Sequence, residues 1–180
     1  DGAFVCGHDW NAFGRRAPDL EGFLAWRQTL RHRPCTLDEL VEWFERNEDM
    51  ILYSDVKETT IEAQTLLHAR LGERLIADAT TPQMVCDLAA RGIGRIVYST
   101  YRRPNSLAQL RADLGHPCLV ENELVAVAIS VRWMFAGHGF VARAATGRPV
   151  YTYTVDNCVL AFAMALLGAD ALFSERIAPG

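Results

Sequence analysis

Half of the chain's 180 residues are apolar, and 18 basic against 22 acidic side chains leave a net charge of -4. That is enough apolar material for one domain with a substantial core, taken as residues 1–180, and with no basic face it excludes a nucleic-acid partner. The most apolar run, Val159 to Leu167, falls well short of the roughly 20 residues that cross a bilayer. Asp1 opens no charged-then-apolar leader, so the expectation is a protein of a reducing, cytoplasmic compartment without a membrane span. The five cysteines, Cys6, Cys35, Cys86, Cys118 and Cys158, are scattered and free of any C-x-x-C pair, which reads as free thiols.

In chain order, short continuous apolar runs alternate with longer segments of helical period. The runs are Ala3 to Cys6, Met50 to Val56, Leu75 to Ala79, Arg95 to Ser99, Val125 to Val131, Val150 to Val155 and Ala171 to Phe173. Runs of this kind, lacking polar/apolar alternation, suit parallel strands covered on both faces, so the fold class is α/β. Arg15 to Pro34 fits either a short helix or a long loop. Thr36 with Glu39 makes a capping box for a helix whose stripe is Leu37, Leu40, Val41 and Phe44. Thr81-Pro82 opens a second helix through Met84, Val85, Leu88 and Ala89 to Gly92. Arg102 to Gly115 reads as a loop entering a helix, and Asn157 opens another through Ala161, Phe162, Ala165 and Leu166 to Gly168.

In parallel βα proteins, polar residues at the carboxyl ends of strands face the site. The rule selects His8 after the first strand, Asp55 and Lys57 after the second, and Tyr153 and Thr154 at a later strand end. His8 is suited to general acid or base work near neutral pH, or else to a hydrogen bond within its loop. Asp55 and Lys57 lie two apart on a strand, so they share a face toward the interior, where an unpaired charge is costly. A cation on the carboxylate and a phosphate on the ammonium would compensate them, as would a plain buried ion pair. Tyr153, Thr154 and Trp133 could line a pocket or simply fill a core.

The order of these elements resembles the glycerophosphodiester phosphodiesterase family. Asp1-Gly2-Ala3-Phe4-Val5-Cys6-Gly7-His8-Asp9 is similar to the family's His-Asp segment after an Asp-Gly turn, and Pro34-Cys35-Thr36-Leu37-Asp38-Glu39-Leu40 to its "P-T-L-x-E-h-L" helix start. Ile51 to Lys57 resembles "h-x-I-E-I-K" with Asp55 in place of Glu. Val150 to Asp156 resembles "V-x-V-W-T-V-N", and Gly168 to Glu175 the closing "G-V-D-G-I-I-T-D". The resemblance implies a (β/α)₈ TIM-type barrel, incomplete at its N-terminal end, of which this chain is the C-terminal three quarters. It also implies hydrolysis of glycerophosphodiesters to glycerol 3-phosphate and an alcohol with a divalent cation, Mg²⁺ or Ca²⁺. Residue by residue, His8 and Lys57 would be catalytic, with His8 protonating the departing alkoxide and Lys57 contacting the phosphate. Asp55 would ligate the metal, and Tyr153, Thr154 and Trp133 would meet the substrate. The departures at Tyr153, Asp156 and Glu175, where the family has Trp, Asn and Asp, bear on substrate fit.

The family also uses a strand ending in His-Arg and another carrying Glu-x-Asp, and neither of those strands is in this sequence, which is shorter than the ~250 residues typical of the barrel. Asp55 alone would hold Mg²⁺ feebly. The 180 residues alone are therefore expected to be inactive, with a longer natural protein or another chain completing the barrel. The alternative is a degenerate, non-catalytic barrel that binds a phosphate-bearing ligand or a protein partner. A related barrel acting on phospholipids, like sphingomyelinase D, would need an apolar loop at the mouth. The only candidate for it, Trp133-Met134-Phe135, reads better as a helix start.

Overall fold

The structure, a computed structural model, describes residues 4–6, 13–14, 16–30, 34–55, 60–101 and 106–174. They fall into two compact units, Asp1–Met50 and Ile51–Gly180.

In the first unit, α1 (Leu20–Arg27) resolves the open reading of Arg15 to Pro34 as a helix: the Asp19 carboxylate caps it by accepting from the Gly22 N–H at 2.8 Å. Helix α2 (Leu37–Arg46) starts at the expected capping box and buries Val41 and Phe44. Glu39 does double duty there, accepting the Thr36 N–H at 2.8 Å and pairing with Arg27 of α1. The expected first strand, Ala3 to Cys6, is corrected. Val5 instead forms an isolated antiparallel bridge with Thr36, flanked by Cys6 N–H to Cys35 O at 2.8 Å and Leu37 N–H to Phe4 O at 3.1 Å. Thr36 must be extended to cap α2, and that extended backbone offers a pairing edge close at hand.

The second unit is built on β1 (Leu52–Ser54), β2 (Leu75–Ala79), β3 (Ile96–Ser99), β4 (Leu124–Ser130), β5 (Val150–Tyr153) and β6 (Ala171–Leu172). The six strands pair in chain order, all parallel. Between them run α3 (Thr60–Leu71), α4 (Pro82–Ala89), α5 (Leu107–Leu114), α6 (Pro117–Val120), α7 (Val131–Phe135), α8 (His138–Thr146) and α9 (Cys158–Leu166). The Thr81 and Asn157 hydroxyl and amide oxygens cap α4 and α9 at the positions the sequence indicated.

Alternation sorts the strand residues onto two faces. Ala77, Ala79, Ile96, Tyr98, Val127, Ile129 and Val150 pack outward against Val85, Leu88, Leu110, Met134 and Met164 of the helices. Val97, Ala126 and Ala128 face inward, with Tyr53, Ile76, Tyr151, Tyr153 and Phe173 packed on them. The small alanines of β4 leave room for that aromatic layer. Tyr53 on β1 stacks on Phe173, just past β6, with ring centroids 4.8 Å apart. In a flat sheet the two outer strands would stand about 24 Å apart, five steps of ~4.8 Å. The sheet is therefore curled into a six-stranded half-barrel whose outermost strands meet through their side chains.

Two further readings are revised. Cys86 of α4 and Cys118 of α6 form a disulfide, Cα atoms 5.1 Å apart, so among the described residues only Cys6, Cys35 and Cys158 are free thiols. Thirty-two positions separate the pair, and the fold, not a local motif, makes them neighbours. In α9 the expected stripe through Phe162 and Leu166 is exposed, and Met164 is buried in its place. The helix is apolar on every side, so periodicity could not choose a face. No helix among the described residues is long and apolar enough to cross a membrane.

A single amide ends β1 and continues its work. The Asp78 N–H and C=O point toward β1, but that strand stops at Ser54, whose partner in the ladder is Ala77. Gln64 of α3, wholly buried, takes over: its Oε1 accepts the Asp78 N–H at 2.7 Å and its Nε2 donates to Asp78 O at 2.8 Å. The Ser54 hydroxyl also donates to Gln64 Oε1, at 2.8 Å. Gln64→Leu removes both backbone bonds from a site without water access, and unfolding in urea should show a loss of roughly 3 kcal/mol.

Candidate functional site

The inner face and the carboxyl ends of β1 to β6 bring together Tyr53, Asp55, Asp78, Ser99, Tyr101, Tyr153 and Phe173. Asp78 is the central group. It is the penultimate residue of β2, only 6% exposed, and accepts a hydrogen bond from the Tyr53 hydroxyl at 2.5 Å. Burial pushes its carboxyl up to about 6; the negative charge of Asp55 adds to the rise, while the Tyr53 and Ser99 hydroxyls oppose it. The Tyr53 phenol is itself raised, by burial first and then by the Asp78 charge.

Tyr153 ends β5 on the same face, its ring 6.4 Å from that of Tyr101 at the rim. Burial raises its phenol too. Ser99 and Thr100 lie near enough to bias that titration, but neither makes a well-directed hydrogen bond to the buried Tyr153 oxygen. Thr100 is instead turned to the backbone, donating to Ala128 O at 3.0 Å. Beyond β5 and β6, the Ser174 hydroxyl donates to Asp156 at 3.2 Å, joining the two strand ends.

Of the residues read from sequence, Asp55 and Tyr153 are brought to this end of the sheet. Asp55 follows the last residue of β1 and is exposed. The expected strand through Val56 is thus shorter, and the cost of interior charge expected at Asp55 falls on Asp78. Thr154 is exposed and is joined to Tyr153 by a cis peptide bond. Trp133 lies in α7 against the helix-side core, its ring 4.6 Å from that of His138 with the Arg132 guanidinium 5.2 Å from its centre. It does not belong to the inner aromatic layer. His8, Lys57 and Glu175 lie outside the described residues.

Sequence reasoning missed Tyr53, Asp78 and Gln64. Asp78 had a signal: a lone acid between alanines in an otherwise apolar run must face something that tolerates charge. Gln64, in a helix of mixed character, had none.

No family model matches the chain, and no curated protein matches it in sequence. Solved structures do match in three dimensions, two of them glycerophosphodiester phosphodiesterases by description. A glycerophosphodiester phosphodiesterase from Parabacteroides distasonis ATCC 8503 superposes with a TM-score of 0.65 at 15% identity, over 97% of this chain and 75% of that one. A protein described as a glycerophosphoryl diester phosphodiesterase from Silicibacter pomeroyi DSS-3 gives 0.53 at 16% identity, over 80% of this chain. The fold is the one seen in those phosphodiesterases. This chain spans about half (54%) of the Silicibacter protein's length.

The Asp78 environment has a testable signature in stability. Its folded-state pKa lies above the ordinary value, so its contribution is fully present below about pH 4 and is lost as pH rises through about 6. Asp78→Asn removes the ionisation while keeping an oxygen for Tyr53. Urea midpoints across pH should show the variant gaining on the parent between pH 4 and 6.5, reaching roughly 2 kcal/mol at pH 7.

Proposed function

We propose that this chain forms the later six strands of a divalent-cation-dependent hydrolase of glycerophosphodiesters, releasing glycerol 3-phosphate and an alcohol. The observation that carries the reading is a pair of carboxylates, Asp55 just past β1 and Asp78 near the end of the adjacent β2, in a fold shared with phosphodiesterases. Among the described residues there is no cluster of three or more His, Cys, Asp or Glu side chains. Two carboxylates completed by water and substrate phosphate nonetheless fit Mg²⁺, which keeps much of its hydration and takes few protein ligands; Ca²⁺ uses the same oxygen chemistry with more of them. Such a cation, once bound, would draw charge from the phosphoryl oxygens.

In this reading Asp55 holds the cation and Asp78 supports it from the buried side. Lys57 neutralises a phosphate oxygen, and Tyr153 forms an apolar wall for the glycerol moiety. Water adds its oxygen to phosphorus and loses a proton to solvent, the ester P–O bond breaks, and the leaving alkoxide takes a proton from His8. A second reading rests on a different observation: one Asp78 oxygen is already occupied by Tyr53, and Tyr53 and Phe173 fill the inner face. That arrangement favours a barrel that binds a phosphate-bearing ligand without turning it over.

The two separate in one assay on the full polypeptide containing this chain. Glycerophosphocholine should release glycerol 3-phosphate in the presence of Mg²⁺ or Ca²⁺. Chelator, Asp55→Asn or His8→Ala should each lower the rate by at least about a hundredfold, as expected when a catalytic acid or a metal ligand is removed. Turnover indifferent to chelator overturns the hydrolase reading. Calorimetric binding without turnover at any metal concentration establishes the second.

A further inference from the structure

The antiparallel bridge of the first unit places two thiols face to face. Val5 pairs with Thr36, and the flanking bonds, Cys6 N–H to Cys35 O and Leu37 N–H to Phe4 O, set Cys6 directly opposite Cys35. Residues so opposed have Cα atoms about 5.5 Å apart and side chains on one face of the ladder. That separation is inside the ~4.4–6.8 Å that a disulfide spans. The thiols are half-buried and not joined. Nothing in the phosphodiesterase reading uses them.

The neighbours of the pair divide the labour between the two sulfurs. Arg27 of α1 donates to Pro34 O at 3.3 Å, which sets its guanidinium beside Cys35, and Glu39 of α2, paired with Arg27, adds a negative charge that both thiols feel. The Cys35 thiol is lowered to about 7, first by the hydrogen bond from Cys6 and then by its own backbone and Arg27, against burial and the Glu39 charge. The same bond, with burial, pushes Cys6 up. With the Arg27 guanidinium anchored on the neighbouring Pro34 carbonyl, Cys35 is the nucleophile and Cys6 the thiol that follows.

We propose that Cys6 and Cys35 are a reversible dithiol–disulfide site whose co-reactant is a small-molecule disulfide of the glutathione type. The Cys35 thiolate attacks one sulfur of the oxidised reagent, forming a mixed disulfide and expelling one thiolate. Cys6 then gives up its proton and attacks the Cys35 sulfur, expelling the second. Two protein thiols are oxidised to one disulfide, and one reagent disulfide is reduced to two thiols. Closure ties position 6 to position 35 and makes residues 7–34, His8 among them, a covalent loop.

The unaltered chain should be equilibrated with graded mixtures of reduced and oxidised glutathione, quenched with acid, alkylated and mapped by peptide mass spectrometry. The expected product is a Cys6–Cys35 linked peptide that grows with the oxidised fraction and is reversed by dithiothreitol, with Cys86–Cys118 as an internal reference. In Cys6→Ser the reaction should stop at a glutathione adduct on Cys35. In the parent, Cys35 alkylation should be half-maximal near pH 7. A stable glutathione adduct on Cys35 of the parent, a dominant link to Cys158, or unmodified thiols across the whole range would each overturn the proposal. The kinetic and mapping readouts on the parent chain stand even if a variant fails to fold.

Discussion

Everything at the mouth of the half-barrel depends on Gln64 standing in for a strand. Parallel strands must satisfy backbone groups on both sides, and β1 gives out one residue before β2 needs it. Without the amide, the Asp78 backbone would lie buried and unpaired. With it, β1 can stop at Ser54, release Asp55 to the solvent, and leave the Asp78 carboxylate facing inward. The helix that carries Gln64 therefore positions both carboxylates through the β2 backbone.

The inner face combines charge with aromatic bulk. Asp78 is kept in low dielectric by the rings around it and is tolerable there because Tyr53 donates to it. Tyr53 in turn is held by stacking on Phe173, and Tyr151 meets Phe173 edge-on at 5.8 Å. The same ring thus closes the curl of the sheet and sets the electrostatics of the acid. On the outer face, a comparable device fixes α5: the buried Tyr98 hydroxyl donates to Asp113 at 2.8 Å and Gln109 donates to the other oxygen at 2.7 Å.

The strands of the parallel sheet were legible because each is a short apolar run, and six of the seven expected runs pair in order. The capped helices were legible for the same reason: Thr36, Thr81 and Asn157 act within three residues of their position. What escaped was non-local. The Cys86–Cys118 bond, the Gln64 clasp and the Tyr53–Asp78 contact join residues 14 to 32 positions apart, and composition carries no record of them. Phe4 to Cys6 was misplaced because an apolar run of strand length says nothing about which partner it will find. Asp55 and Tyr153 lie at the strand ends where the sequence places them because a residue at a strand's carboxyl end has its position dictated by the strand itself, whereas Trp133, the third residue of a helix, takes its direction from the helix.

The Cys86–Cys118 bond also changes what it means to cut this chain. Residues 86 to 118 form a closed covalent ring that carries β3 and the whole of α5. A peptide bond broken inside the ring leaves one molecule, its two ends still joined through sulfur. With Cys6 and Cys35 reduced, a bond broken anywhere else leaves two. The middle of the half-barrel is thus protected from separation in a way that neither β1 nor β6 is, so a nicked chain keeps β2 and β4 on a single covalent framework until a reductant opens it.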